Sequence, residues 1–286
     1  MQRCKVLQRS DGKGYIVFDS NSLQVFQFSG TSDQLGAACI RAVDKAKPAQ
    51  AALHEDVKRC ETLTVMLTNA CNLNCKYCYF HFHPSEEFER IDTEAIISAY
   101  KKLLEHFADG VEYIQFFGGE PLLHFPVIQE VTEQIISHAK DTGVLCPRFG
   151  INTNGLLLKK EVMDFFQAHN FFVRISIDGT EENSAMRVNY QDKASYSELV
   201  KVIKWVKNNY PDFPLHAEMT YSAQHIKNYL STYIHDVEVL RDLGFSSIHM
   251  APVITPDSHD ESKTVFRLLL SRRFEKICRG CLRFNV

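Results

Sequence analysis

Six strand-like segments alternate with six helix-like segments from residue 61 onward, and this alternation constrains the fold more than any other feature of the sequence. Regular alternation of the two kinds of segment is typical of parallel β/α units. The strand-like segments are 62–67, 112–117, 147–152, 171–177, 214–220 and 246–251. The helix-like segments are 93–107, 126–141, 159–169, 194–209, 226–243 and 260–276. The sequence therefore predicts an α/β fold built on a parallel sheet.

The first sixty residues have a different pattern. Residues 14–18 and 23–28 are rich in β-branched and aromatic residues and flank a polar turn, which predicts a β-hairpin. Residues 32–43 follow a Thr/Ser cap and have the spacing of a helix. We therefore expect a small α+β N-terminal unit over residues 1–60, ahead of the β/α units.

Three cysteines follow the first strand of the β/α region. Cys71, Cys75 and Cys78 have the spacing Cys-x3-Cys-x2-Cys, which places three thiolates on one short loop. Three thiolates can hold three irons of a cubane cluster and leave the fourth iron open. Because Zn²⁺ takes four sulfur or nitrogen ligands, the same cysteines with His81 or His83 could instead form a structural zinc site.

A second unusual loop follows the next strand, where Tyr113-Ile-Gln-Phe-Phe117 runs directly into Gly118-Gly119-Glu120-Pro121. Glycines allow a backbone to approach a ligand closely, and a glutamate can accept a hydrogen bond from an ammonium group. Ligands of β/α barrels gather at the carboxyl ends of the strands. We therefore expect the two loops to lie at the same edge of the sheet.

Polar side chains also follow the third and fourth strands, in Asn152-Thr-Asn-Gly155 and Ser176-Ile-Asp-Gly179. Strand alternation places Arg174, Ser176 and Asp178 on one face, which becomes a candidate cofactor wall. Glu218 on the fifth strand is an inward carboxylate that needs a partner or a function. On a purely structural interpretation, the Asn-Gly and Asp-Gly pairs are turn formers.

The two loops, in this order and at this separation, resemble those of the radical S-adenosylmethionine (SAM) enzymes. The resemblance implies a partial (β/α)6 TIM-like barrel over residues 61–276, with a [4Fe-4S] cluster held by Cys71, Cys75 and Cys78. It also implies that SAM binds at the open iron and is cleaved reductively to a 5′-deoxyadenosyl radical. The radical would then abstract hydrogen from a substrate.

The resemblance also suggests which residues bind SAM. They are Gly118, Gly119 and Glu120 for the amino group, Ser176 and Arg187 for the carboxylate, Asn152 for the ribose or carboxylate, and Tyr77 for the adenine edge.

The chain further resembles the peptide- and protein-modifying branch of these enzymes, the SPASM-type maturases. Its N-terminal unit is similar to a peptide-recognition unit that captures a leader peptide as an added strand. The expected substrate is a ribosomally made precursor peptide or small protein, and the expected product carries a thioether or carbon-linked cross-link. Flavodoxin or ferredoxin would be the low-potential electron donor. The alternatives are a sulfatase-maturating enzyme that forms formylglycine, and a non-catalytic, zinc-stabilised peptide-binding module.

The C-terminal residues 277–286 depart from that branch. Its members commonly carry a cysteine-rich extension with auxiliary iron-sulfur clusters, whereas this chain has Cys278 and Cys281 beyond the sixth unit. Two thiolates do not complete a cubane. We expect a chain truncated just inside that extension, and the sequence leaves open whether an auxiliary cluster is present.

The overall composition narrows the function classes. A net charge of −3 argues against nucleic-acid binding. No stretch reaches the ~18 apolar residues that span a membrane, and the N-terminus lacks the apolar region of a signal peptide. Nine cysteines in an uneven, scattered arrangement argue against a secreted disulfide framework. The sequence therefore predicts a soluble cytoplasmic enzyme.

Overall fold

The computed structural model describes residues 4–8, 15–19, 24–28, 58–78, 80, 91–221 and 229–253. The chain divides into two compact units, residues 1–58 and 59–286. The predicted helices at 32–43 and 260–276, together with His81, His83, Cys278 and Cys281, lie outside the described residues.

The first unit contains a three-stranded antiparallel sheet in the order β1-β2-β3. Strand β1 is Cys4–Gln8, β2 is Tyr15–Asp19 and β3 is Gln24–Phe28. Strands β2 and β3 correspond to the arms of the predicted hairpin. Strand β1 was not predicted, because its five residues contain one short apolar pair and no alternation; antiparallel pairing with β2 accounts for its extended backbone.

The second unit is a six-stranded parallel sheet with strands in sequence order, from β4 to β9. The strands are β4 (Cys60–Met66), β5 (Val111–Phe117), β6 (Arg148–Thr153), β7 (Phe172–Ser176), β8 (Leu215–Tyr221) and β9 (Phe245–Pro252). The helices between them are α1 (Thr93–His106), α2 (Phe125–Thr142), α3 (Lys160–Ala168), α4 (Tyr196–Asn209) and α5 (Tyr229–Asp242). The predicted α/β fold is confirmed, and each of these elements lies within three residues of its predicted bounds.

The strands bury one face against the helices. Val173 and Ile175 of β7 are fully buried and belong to the same core cluster as Ile128, Met163 and Ile203 of the surrounding helices. Burying each such side chain contributes about 1.5–3 kcal/mol. The other face of β7 carries Arg174 and Ser176, and it is polar. This division explains why the period-two pattern predicted the strands well.

Local signals set the ends of the helices that surround the sheet. The Asp92 side chain accepts a hydrogen bond from the Ala95 N–H at 2.8 Å and caps the start of α1. Helix α2 ends at Gly143, whose φ of 73° is in the left-handed region and whose N–H donates to the Ala139 carbonyl.

The sheet is an incomplete barrel, since β4 and β9 form its two ends and do not pair with each other. The polar inward faces of the strands therefore line an interior with an opening between these edges. None of the helices in the described part of the chain is long and apolar enough to cross a membrane.

Candidate active site

A cavity of about 420 Å³ lies at the carboxyl ends of the parallel strands. Its volume is within the usual range for small-molecule sites. It brings together the three cysteines and six of the seven residues that the sequence suggested for SAM, and these are Cys71, Cys75, Cys78, Tyr77, Gly118, Gly119, Asn152, Ser176 and Arg187. The remaining residue, Glu120, is absent from the lining.

The cysteine loop follows β4 and is fixed by backbone hydrogen bonds to a distant segment. The Asn74 N–H donates to the Val188 carbonyl at 2.7 Å, and the Lys76 N–H donates to the Met186 carbonyl at 3.0 Å. Within the loop, the Leu73 N–H donates to the Cys71 sulfur at 3.4 Å. The loop conformation is therefore determined by protein contacts, before any metal ligation.

Burial makes two of the cysteines, Cys71 and Cys75, weaker acids in the metal-free protein. It raises the pKa of the Cys71 thiol to about 12. It also raises the pKa of the Cys75 thiol, although the nearby Arg187 acts in the opposite direction. Because metal ligands must be thiolates, binding iron at this loop would release protons.

The two glycines serve a purpose that the sequence analysis did not identify. The Gly119 N–H donates to the Thr68 carbonyl at 2.7 Å, and the Glu120 N–H donates to the Ala70 carbonyl at 2.8 Å. A Cβ atom on Gly119 would lie 2.2 Å from the Ala70 carbonyl oxygen, and one on Gly118 would lie 2.5 Å from the Thr68 carbonyl oxygen. The glycines thus allow the loop after β5 to pack directly against the backbone of the cysteine loop.

Glu120 does not occupy the position predicted for it, because its side chain is fully buried and does not line the cavity. Its carboxylate accepts hydrogen bonds from the Leu122 N–H at 3.0 Å, the Thr153 hydroxyl at 2.7 Å and the Asn154 N–H at 2.7 Å. It therefore joins the loop after β5 to the end of β6. Burial raises its pKa to about 7, against the effect of these hydrogen bonds.

Asn154 is a site residue that the sequence analysis treated only as a turn former. Its side-chain amide donates to the side-chain oxygen Oδ1 of Asn72 at 2.7 Å and lies 3.8 Å from the Cys71 sulfur. The predicted residue Asn152 accepts a hydrogen bond from Gln115 at 2.8 Å. Both asparagines line the cavity, and the Asn-Thr-Asn spacing at a strand end was the signal available in the sequence.

Asp178 connects the cysteine loop to two strand ends. Its carboxylate accepts a hydrogen bond from the Tyr77 hydroxyl and forms a bidentate ion pair with Arg187, at 2.7 and 2.8 Å. The Thr220 N–H donates to the same carboxylate at 2.8 Å. Burial acts to lower the pKa of Arg187, but Asp178 raises it above its ordinary value. The Arg187 guanidinium is therefore a permanently charged group of the cavity wall.

The inward carboxylate of Glu218 has two charged or polar neighbours. It lies 3.3 Å from the Arg174 guanidinium and 2.8 Å from His249 Nδ1. Glu218 lines the cavity that contains the cysteines, while Arg174 lines a second cavity of about 570 Å³ at the amino ends of the strands. The larger cavity contains no cysteine. The smaller one is therefore the candidate active site.

The chain belongs to the radical SAM superfamily, because the family model matches residues 65–221. That range includes the cysteine loop, the Gly-Gly-Glu-Pro loop and strands β5 to β8 in full. Members of this superfamily are enzymes that use a [4Fe-4S] cluster and SAM.

Three curated relatives show the range of the superfamily around this chain. Radical SAM cyclopropyl synthase TigE of Paramaledivibacter caminithermalis is 29% identical over 54% of this chain and 34% of its own length. The antilisterial bacteriocin subtilosin biosynthesis protein AlbA of Bacillus subtilis is 27% identical over 63% of this chain and 37% of its own. GTP 3',8-cyclase of Staphylococcus epidermidis is 31% identical over 46% and 38%. The chain therefore aligns with less than half of each relative.

A solved structure shows the same fold. The native anSMEcpe enzyme with bound AdoMet and Cp18Cys peptide superposes with a TM-score of 0.59, over 69% of this chain and 52% of that chain. The two sequences are 19% identical. The structure therefore supports the partial-barrel architecture.

The residues of the cavity fit the group that the superfamily implies. In the described part of the chain, no three His, Cys, Asp or Glu side chains are grouped closely enough to share one metal ion. A cubane does not require such a group, because each cysteine binds a different iron. Three cysteines on one wall, two glycines without Cβ atoms and a fixed arginine provide thiolate ligands, close backbone approach and a cation for a carboxylate.

We expect Gly119→Ala to separate the two loops, because the added Cβ would meet backbone atoms that cannot rotate away. The cost should be about 1–3 kcal/mol of unfolding free energy, accompanied by a loss of iron bound after anaerobic reconstitution. Gly143→Ala is the control, because its Cβ would meet nothing within 4 Å while its positive φ still costs stability. Equal iron content in the two variants would contradict this account of the loops.

The buried Glu120 should make stability depend on pH. The pKa of Glu120 in the folded protein, about 7, lies above its ordinary value of 4.5. Its contribution to the unfolding free energy is therefore full below about pH 4.5 and is lost as pH rises through 7. Between about pH 5 and 8, we expect the unfolding free energy of the metal-free chain to fall by up to about 3 kcal/mol more than that of Glu120→Gln. Denaturant titration measures this, with the exposed Glu133→Gln as control. Parallel pH profiles for all three proteins would rule the effect out.

Proposed function

We propose that the chain matures a ribosomally made peptide or a small protein by abstracting hydrogen from one of its residues. The observation that carries the proposal is the cavity that brings the three cysteines together with Tyr77 and Arg187 at the open end of an incomplete barrel. We propose that a substrate larger than a metabolite enters between β4 and β9, the two end strands of the sheet. A relative named for bacteriocin biosynthesis and a fold neighbour with a bound peptide support the same class.

When bound, the reduced cluster would give one electron to the sulfonium of SAM, and breakage of the C5′–S bond would release methionine and a 5′-deoxyadenosyl radical. In this proposal Cys71, Cys75 and Cys78 hold three irons. The Nη1 nitrogen of Arg187 donates to the SAM carboxylate, since Nε and Nη2 are already engaged by Asp178. In this proposal the Tyr77 side chain contacts the edge of the adenine ring of SAM.

The remaining wall residues have proposed roles in orienting SAM and excluding water. Ser176 contributes to the carboxylate site and Asn152 to the ribose site. The backbone of Gly118 and Gly119 receives the amino group, while Glu120 supports that loop from within. Phe117 and Leu73 give the cavity apolar surface that keeps the reacting centre dry.

A cross-link adds requirements outside the cavity. Joining two substrate atoms removes two hydrogens, one as an atom and the other as a proton and an electron, so an electron acceptor is needed. An auxiliary iron-sulfur cluster with ligands from Cys278 and Cys281 is one proposed acceptor. A flavodoxin or ferredoxin supplies the electron for SAM cleavage, and the reducing cytoplasm is the proposed location.

The N-terminal sheet offers a plausible means of peptide capture. Its order, β1-β2-β3, leaves each outer strand with one edge that pairs with no other strand in the described residues. Such an edge accepts an extended peptide as an added strand. We therefore propose residues 1–60 as a peptide-recognition unit, residues 61–276 as the catalytic barrel and residues 277–286 as the start of a cysteine-containing extension.

Two other functions have specific support. The fold neighbour binds a cysteine-containing peptide by name, which fits a sulfatase-maturating enzyme. The GTP 3',8-cyclase relative indicates that a nucleotide substrate is compatible with a similar barrel. Superfamily membership implies an iron-sulfur enzyme and therefore argues against the zinc-stabilised binding module.

Replacing Cys71, Cys75 and Cys78 together by alanine should abolish cluster binding. Anaerobic iron and sulfide analysis of the parent chain is expected to give about four irons, and electron paramagnetic resonance of the reduced protein should change when SAM is added. Cys146→Ala, at an exposed cysteine, is the control and should retain both properties. About eight irons would indicate an auxiliary cluster, whereas one zinc without iron would overturn the enzymatic interpretation.

The substrate class can be tested with three candidates under one set of conditions. Reduced, cluster-loaded protein and SAM are incubated with a cysteine-rich precursor peptide encoded beside this chain, a sulfatase-derived cysteine peptide or GTP. We expect 5′-deoxyadenosine and a product lacking two hydrogens with the precursor peptide. Formylglycine in the sulfatase peptide would favour the sulfatase-maturating function. A product from GTP alone would refute a peptide substrate. The triple cysteine variant is the inactive control.

A further inference from the structure

We propose that Asp178 is a positioning residue that holds Arg187 and Tyr77 in place at the wall of the SAM cavity. Asp178 is 2% exposed, follows β7 by two residues and does not itself line the cavity. The inference rests on the proposed roles of Arg187 and Tyr77 in SAM binding. It assigns a function to a carboxylate that the sequence pattern places on the candidate cofactor wall or explains as a turn former.

Asp178 has no capacity left for a ligand of its own. A carboxylate has about four acceptor positions. In Asp178 they are taken by the Tyr77 hydroxyl, by Nε and Nη2 of Arg187 and by the Thr220 N–H. Any effect of this side chain on SAM must therefore pass through the groups that it holds.

The bidentate ion pair fixes the plane of the Arg187 guanidinium. Nε and Nη2 form one edge of that plane and both face Asp178, and Nη2 also lies 3.3 Å from the Thr220 hydroxyl. Among the described residues, Nη1 donates to no protein acceptor. Since Arg187 is 7% exposed and lines the cavity, this nitrogen is the part of the guanidinium left for a carboxylate there.

The same carboxylate restrains the cysteine loop. Tyr77 directly precedes Cys78, and its hydroxyl donates to Asp178 across 101 positions of sequence. The Arg187 guanidinium carbon lies 5.4 Å from the centre of the Tyr77 ring, so the arginine also packs on the aromatic face. Asp178 thus sets the position of the proposed adenine-edge residue and of the proposed carboxylate-binding residue together.

An amide cannot replace this carboxylate. In Asp178→Asn the NH₂ group must face either Nε of Arg187 or both Nη2 of Arg187 and the Thr220 N–H, and every one of these groups is a donor. One edge contact of the guanidinium is lost in each orientation. The substitution keeps the shape of the side chain, so its effect reports the loss of the negative charge and of the acceptor contacts that depend on it.

The test measures the dissociation constant of SAM by equilibrium dialysis with cluster-loaded protein, and it needs no peptide. We expect Asp178→Asn to weaken SAM binding by about tenfold or more, the loss typical of a charge-assisted contact. The matched control is Asp236→Asn. Asp236 is fully buried. It accepts hydrogen bonds from two residues of the loop after β7, the Thr180 N–H at 2.9 Å and the Asn183 side-chain amide at 2.6 Å. Its SAM affinity should stay within about twofold of the parent.

A double-mutant cycle shows whether Asp178 acts through Arg187. Because Asp178 also positions Tyr77, Asp178→Asn/Arg187→Met should bind SAM more weakly than Arg187→Met alone, but by a smaller factor than that by which Asp178→Asn weakens the parent, since one of the two positioned groups is already absent. Should Asp178→Asn fail to load iron, Asp178→Glu takes its place, since it keeps the charge but displaces the guanidinium. Unchanged affinity in the Asp178 variant, equal weakening in Asp236→Asn, or additive losses in the cycle would each overturn the proposal. A failure to modify peptides would leave it intact and count against the proposed function alone.

Discussion

The architecture of the site depends on the direct backbone contact between the cysteine loop and the glycine loop. Two N–H groups of one loop donate to two carbonyls of the other, at 2.7 and 2.8 Å, and no Cβ atom fits between them. Backbone groups have fixed positions, so a contact of this kind places the cysteines relative to β5 without relying on flexible side chains. The positions of the three cysteines are therefore determined by the positions of the strands that carry the two loops.

From this contact, a series of buried hydrogen bonds connects successive strand ends. Glu120 links the loop after β5 to Thr153 and Asn154 at the end of β6, and Asn154 returns to the cysteine loop through Asn72. On the opposite side, Asp178 links the end of β7 to β8 and to Tyr77 of the same loop. The cysteine loop is therefore held by hydrogen bonds to residues that follow β5, β6 and β7.

The sequence predicted the elements of the fold well and the roles of individual site residues unevenly. Strand β7 was found because Val173, Ile175 and Ile177 alternate with polar residues, a local pattern that burial enforces. The cysteines and glycines were found because their chemistry and spacing are unusual. The burial of Glu120 was missed because Thr153 and Asn154, which hold its carboxylate, are 33 and 34 residues away. The bidentate role of Asp178 was missed because Arg187, nine residues away, is reached through a loop without a regular period.

The pairing of charges also determines which charged groups and hydrogen-bond donors of the cavity wall can interact with a bound group. In this wall the buried Arg187 is paired with Asp178, and the inward carboxylate of Glu218 is paired with Arg174 of the neighbouring cavity. Burial meanwhile raises the pKa of Cys71 and Cys75, which disfavours thiolates in the metal-free protein. Binding of a metal would supply positive charge that favours the thiolate forms of Cys71 and Cys75, and the nearby Arg187 acts in the same direction on Cys75. A site arranged in this way couples ligand deprotonation to cluster assembly, and it leaves the free edge of Arg187 available for an anionic group placed beside the cluster.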